Sequence, residues 1–258
     1  MRDKLYIVKV GGKIVEEPET LQQLLNDFAS IDGRKLLVHG GGRSATKLAS
    51  ALGVETKMVD GRRITDAEMI DVVTMVYGGL VNKRLVAALQ GQGLNAIGLT
   101  GADMNVILSV KRPVKEIDYG WVGDVVKVDA EALSQLIERG VVPVIAPLTH
   151  DGKGHILNTN ADTMAAETAK ALAATYDVTL VFCFEKDGVL EVADDDASVI
   201  AQLDRERYEK LKQSGIINGG MIPKIDNAFS TLDNGVSEVI ITNASHLTDL
   251  SLGTHIRK

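Results

Sequence analysis

At 258 residues, with 45% apolar and 24% charged side chains, the chain is long enough to bury a sizeable core in one large α/β unit. Its formal charge of −7, from 28 Lys and Arg against 35 Asp and Glu, gives no general field for nucleic acid, so an anionic ligand has to be met by a few placed cations. The apolar runs are too short for a membrane span, "MRDKLYIVKV" lacks the apolar core of a signal peptide, and the single Cys183 permits no internal disulfide, so a cytoplasmic protein with a buried, inert thiol is expected.

Short β-branched runs alternate with amphipathic stretches at helical spacing, the pattern of an α/β fold around a mostly parallel sheet. Strands are predicted at 4–10, 35–39, 94–99, 141–146, 177–183 and 237–242. Helices are predicted at 18–30, 43–52, 66–90, 129–139, 161–174, 204–214 and 221–234. The long helix at 66–90 is announced by Thr65 and Glu68 at capping-box spacing, and its Gly78 and Gly79 predict close packing on a neighbour. The segment 104–127 breaks the alternation and reads as an antiparallel hairpin, either a lid or a structural insertion. A second small hairpin is predicted at 149–158. No linker divides the chain, and composition shifts most near residue 174.

"LLVHGGGRSATK", residues 36–47, puts three glycines between a strand and a helix. An esterase uses such glycines as an oxyanion hole, but it also needs a G-x-S-x-G elbow, which is missing here. The P-loop pattern and the G-x-G-x-x-G fingerprint are missing as well. What remains is a glycine turn feeding a helix N-terminus, a natural cradle for an anion. "LYIVKVGGK" repeats the same grammar at Gly11 and Gly12, which suggests that two such turns leave the carboxyl edge of neighbouring strands.

Lys9 stands in an otherwise apolar strand, either snorkelling to water or aimed at a ligand. In "NGGMIPKIDNAF", Lys224 opposes the dipole in the first turn of a helix, as a solvated surface residue or as a functional exception. In "LNTNADTMAAETAKAL", capping accounts for Asn160 and Asp162, though not for Asn158. Arg62 and Arg63 precede the long helix, and a guanidinium there can either be solvated or grip a carboxylate with two bonds. No His or Cys cluster has metal-ligand spacing, so no protein metal site is predicted.

Taken in order, "KVGGK", "VHGGG", "DGRRIT", "GWVGDV", "LNTNADTMA", "KDGVL" and "GGMIPK" resemble the N-acetylglutamate kinases of the amino acid kinase superfamily over essentially the whole chain. The resemblance implies a three-layer αβα sandwich with a β-hairpin lid. It implies residues 1–174 as a lobe for an N-acyl-L-glutamate and 175–258 as a lobe for ATP, with Mg²⁺ arriving with the nucleotide. The reaction implied is phosphorylation of the γ-carboxylate of N-acetyl-L-glutamate in arginine biosynthesis. N-succinyl-L-glutamate or another acceptor of the superfamily is the alternative, and a non-catalytic sensor the more distant one.

By the same resemblance Lys9 and Lys224 stabilise the transferred phosphoryl group, and Asp162 holds the two ammonium groups. Gly41, Gly42, Arg63, Asn158 and Asn160 bind the acceptor, while Gly11, Gly12, Glu185, Gly188, Leu190, Ile217 and Met221 meet the nucleotide. A glutamate side chain is already ionised at neutral pH, so no histidine base is required and His39 is expected to be a packing residue. One departure bears on the nucleotide contacts: "CFEKDGVL" has Phe184 and Glu185 where the family usually carries Thr or Ser and then Asp, so that either packing against adenine replaces a lost hydrogen bond or nucleotide use is weakened or altered. The first strand begins near residue 4, without the N-terminal helix of arginine-inhibited hexamers, which predicts an arginine-insensitive homodimer.

Overall fold

The computed structural model describes residues 2–59, 61–192 and 195–258, so the Asp60 that opens "DGRRIT" lies outside the described residues. An eight-stranded sheet forms the frame: β1 (Lys4–Val10), β2 (Arg34–His39), β3 (Ala96–Leu99), β4 (Val142–Ile145), β5 (Asp177–Phe184), β6 (Gln202–Leu203), β7 (Glu238–Asn243) and β8 (Thr254–Ile256). Their spatial order is β6-β8-β7-β5-β1-β2-β4-β3, and all pairings are parallel except β7 with β8. The half-sheet β6-β8-β7-β5 comes from the last third of the chain and meets the rest at β1.

Both faces of this sheet are covered, because successive side chains along each strand point to opposite sides. In β1, Leu5 and Ile7 join a core with Met164 and Leu172 of the helix Ala161–Leu172 and Ile225 and Phe229 of the helix Met221–Asp233. Val8 and Val10 join a second core with Leu24, Leu25 and Phe28 of the helix Pro18–Ser30 and the buried row of the helix Ala67–Gly91. Lys9 therefore continues the Leu5–Ile7 row, where a further apolar side chain would be the rule. The result is the expected three-layer αβα sandwich.

The six predicted strands and seven predicted helices all form, with shifts of one or two residues at their ends. Three differences have physical causes. The long helix is capped by Asp66, whose side chain accepts from Met69 N at 2.9 Å, and not by Thr65, which is buried and donates to Arg63 O at 3.1 Å. Its middle, Thr74–Val81, is π-helical, and of the two glycines there only Gly78 packs closely, 3.4 Å from Leu148 where a Cβ would stand. That helix is long and apolar enough to cross a membrane, but Met69, Val72, Val73, Val76, Leu85 and Leu89 are buried against the sheet. The helix Gly12–Glu16, the short edge strand β6 and its neighbour β8 were not foreseen, since a five-residue helix and strands of two or three residues carry no measurable period.

The two hairpins form as Ile107–Lys111 with Gly123–Val128 and Leu148–His150 with Ile156–Asn158. They are not independent, because a parallel bridge from Leu108 to His150 unites them in one four-stranded sheet beside the carboxyl edge of the main one.

Candidate active site

The two glycine turns leave adjacent strands and interlock. Val10 of β1 stands opposite His39 of β2, and Gly40 N donates to Val10 O at 3.0 Å. A Cβ on Gly40 would sit 2.9 Å from Gly12 N, and one on Gly12 would sit 3.2 Å from Gly42 N. Only glycine permits backbones to approach this closely. Glu16 fastens the pair from behind: its Oε1 accepts from Ser44 N at 2.5 Å and from Ser44 Oγ at 2.9 Å, capping the helix Gly42–Ala51 that the second turn begins. His39 is fully buried, with Nδ1 2.7 Å from Gly40 O and Nε2 3.2 Å from Asn82 Nδ2. Burial pulls its pKa down to about 4, so the imidazole is neutral, Nδ1–H donates to the turn and Nε2 accepts from Asn82. It is a packing and orienting residue, as expected, and it does not itself line either cavity described below.

One cavity opens in front of the second turn, lined by Gly40, Gly41, Gly42, Arg62, Arg63 and Tyr77, with Asn158, Asn160 and Ala161 across from them. Arg63 is buried, and its Nη2 donates to Gly42 O at 2.7 Å and Thr46 Oγ1 at 2.9 Å, which orients the guanidinium from behind. Asn158 ends its strand and donates from Nδ2 to Thr65 Oγ1 at 3.0 Å, inside the protein. Asn160 caps the helix Ala161–Leu172 by accepting from Thr163 N at 3.0 Å and also lines the cavity. Tyr77, from the π-helical stretch, packs its ring where a Cβ on Gly41 would stand, 2.9 Å away, and was not singled out from sequence. Lys111 lies 4.3 Å above the Trp121 ring and does not line this cavity, whereas Arg62 does.

A second cavity lies beyond the first turn, between Gly11, Gly12 and Lys13 on one side and Phe184, Glu185, Gly188 and Met221 on the other. Lys9, Asp162 and Lys224 line it as well. Lys9 is buried and its Nζ is 2.7 Å from Oδ1 of the partly exposed Asp162, an ion pair that is not aligned as a hydrogen bond. Lys224 enters from the first turn of the helix Met221–Asp233. Burial, and secondarily the Lys9 charge, push its pKa below the usual lysine range against the opposing pull of Asp162. Lys13 spans the mouth to Glu185 at 2.5 Å. The thiol of Cys183 also reaches this lining and is inert, its pKa pushed up to about 12 by burial.

Two of the sequence-predicted nucleotide residues do not reach the cavity lining. Ile217 is buried in the core, and Leu190 forms an isolated bridge with Val199. No cluster of three or more His, Cys, Asp or Glu side chains suited to a metal occurs among the described residues. The two cavities are walled by neighbouring residues, the two interlocked turns and the start of the helix Ala161–Leu172, where Asn160 and Ala161 line one and Asp162 lines the other. Glycines of the interlocked turns line both cavities, and the buried Lys9 and the half-buried Lys224 line the second.

Residues 4–243 match the model of the amino acid kinase family. The chain is 67% identical over 258 residues to an acetylglutamate kinase of Bacteroides thetaiotaomicron, covering 100% of both chains. Among solved structures it resembles a protein of Streptococcus mutans with a TM-score of 0.78 and 28% identity, covering 98% of each chain. It also resembles the N-acetylglutamate synthase of Neisseria gonorrhoeae in complex with coenzyme A and N-acetyl-glutamate, with a TM-score of 0.83 and 24% identity. It covers 98% of itself but spans only 59% of that synthase, a likeness of fold alone. The interlocked glycine turns, the sandwich that carries them and the match over nearly the whole length make this chain a member of the amino acid kinase family.

Proposed function

We propose that the protein transfers the γ-phosphoryl group of MgATP to the side-chain carboxylate of N-acetyl-L-glutamate, as the name of its relatives implies. The observation that carries this reading is a pair of neighbouring cavities, walled by the interlocked glycine turns and by the successive residues Ala161 and Asp162, the second of them lined by Lys9, Asp162 and Lys224. The cavity of Gly41, Gly42, Arg63, Asn158 and Asn160 takes the acceptor, with Arg63 gripping its α-carboxylate. The cavity of Gly11, Gly12, Glu185, Gly188 and Met221 takes the nucleotide. The acceptor site is then built by residues 1–174 and most of the nucleotide site by 175–258.

The acceptor carboxylate has an unperturbed pKa of about 4.3 and attacks as the anion, without a general base. One of its oxygens forms the new bond to the γ-phosphorus while the bond to the β–γ bridging oxygen breaks, giving an acyl phosphate and ADP. Catalysis of such a step is mainly alignment and charge stabilisation. Lys9 and Lys224 meet the negative charge of the phosphoryl group in flight, and Asp162 keeps Lys9 in place. Mg²⁺ arriving with the nucleotide would supply further charge neutralisation; of the carboxylates lining the nucleotide cavity, Asp162 is paired with Lys9 and Glu185 with Lys13.

The same reading makes the protein a cytoplasmic homodimer, with the exposed Met75 and Leu80 of the long helix as apolar surface for a second copy. Arg62 on the acceptor cavity favours a second reading, in which the acyl group carries its own carboxylate, as in N-succinyl-L-glutamate. A coupled ADP-release assay with glutamate, N-acetylglutamate and N-succinylglutamate tests both. Highest kcat/KM with N-acetylglutamate is expected; preference for the succinyl compound selects the second reading, and no turnover with any of the three overturns the first.

A further inference from the structure

The second cavity brings together the ammonium groups of Lys9 and Lys224 and the carboxylate of Asp162, which stands 2.7 Å from Lys9 Nζ while its charge also draws on Lys224. The second ammonium faces a ring: Lys224 Nζ lies 3.8 Å from the centroid of Phe184, and Lys9 Nζ lies 5.2 Å from the same centroid. Phe184 ends β5, and its neighbour on the same face, Phe182, lies opposite Lys9 in the sheet. The two rings stack with centroids 6.1 Å apart and planes 8° from parallel, which fixes the plane presented to the lysines. The other charged side chains lining this cavity are engaged elsewhere, Glu185 with Lys13 and Lys186 with Asp196.

We infer that Phe184 is a positioning residue that seats Lys224, and in part Lys9, through the negative face of its ring. This rests on the kinase reading above only for its effect on turnover. An ammonium within about 6 Å of a ring centroid is attracted by the ring quadrupole, and more strongly when desolvated, as Lys224 is. A ring, unlike a second carboxylate, cancels none of the positive charge and accepts no aligned hydrogen bond. The N–H donors and the charge of Lys224 thus stay available to an arriving phosphoryl group, while the like charges of Lys9 and Lys224 are held together in its absence.

Phe184→Leu keeps apolar bulk and removes the quadrupole, with Phe184→Met as the substitute where Leu does not fold; Phe184→Tyr keeps the ring. Expected for Phe184→Leu is a fall in kcat on the order of tenfold, with the KM of ATP and of N-acetylglutamate within about twofold of the original, and recovery of most of the loss in Phe184→Tyr. A readout free of turnover is the titration of the Lys224 ammonium by NMR of lysine-labelled protein, assigned through Lys224→Arg. Without the ring the charged form loses a partner while burial persists, so the midpoint moves to lower pH. A midpoint that is unchanged or higher in Phe184→Leu, an effect confined to KM, or a Tyr variant as impaired as Leu overturns the inference. If the unaltered protein phosphorylates no acceptor and the midpoint still moves, the kinase reading falls and the role of the ring stands.

Discussion

Lys9 Nζ stands 2.7 Å from Asp162 Oδ1, joining the central strand of the sheet to the first turn of a helix that faces two cavities. The lysine is buried and the aspartate about one quarter exposed, so the pair is less screened than a surface ion pair. Asp162→Asn leaves a buried ammonium without its counter-ion. The expected result is a loss of up to about 3 kcal/mol of stability together with a fall in kcat of roughly a hundredfold. Thermal melts and steady-state kinetics check both; a change confined to KM would remove Asp162 from the organisation of the transition state.

Lys224 sets the alkaline limit. Its folded pKa is lowered, first by burial and then by Lys9, so the protonated form needed for charge stabilisation is lost on raising the pH earlier than for an ordinary lysine. The kcat profile should therefore fall in the alkaline range below the usual lysine pKa. Lys224→Arg, always protonated, should lower kcat at neutral pH by loss of fit yet remove that alkaline fall. Persistence of the fall in the arginine variant assigns it to another group.

The glycines of the two turns are unequal. A Cβ on Gly40 meets the backbone nitrogen of Gly12 at 2.9 Å, whereas a Cβ on Gly11 meets nothing within 4 Å. Gly40→Ala should cost about 1–3 kcal/mol by forcing the turns apart, and Gly11→Ala less than about 0.5 kcal/mol. Urea unfolding of the two variants provides the comparison, and equal costs would contradict the interlock.

His39 links stability to acid. Its folded pKa of about 4 lies below the unfolded value near 6.5, so the unfolded state binds the extra proton between them. The contribution is complete above the unfolded value and is lost as pH falls through this window, by roughly 3 kcal/mol at its lower end. Urea midpoints at pH 7 and 4.5 should therefore differ less in His39→Gln than in the unaltered chain. An equal pH dependence in both would show that another group carries it.

How far the sequence carried can be judged at particular residues. The sandwich and the two glycine turns were legible because strand and helix periods are local, and because glycine at the end of an apolar run has few uses. Lys9 and Lys224 were legible as violations of local rules, a lysine in a buried strand and a lysine in a first helical turn. Glu16 carried no signal: its partner Ser44 is 28 residues away, in a contact that exists only once the turns are interlocked. Tyr77 looked like any apolar-face residue until the π-helical stretch set its ring against Gly41.

Phe184 shows the division most clearly. In the sequence it was a departure, a ring where a hydroxyl and a nucleotide contact were expected. In the fold it lies under both ammonium groups. The sequence alone determined which residues are out of place, since burial patterning and capping act over a few residues. Only the tertiary structure decided what those residues face, because Lys9, Asp162, Phe184 and Lys224 come from four separate elements, and their mutual electrostatics depends on distances that no local pattern encodes.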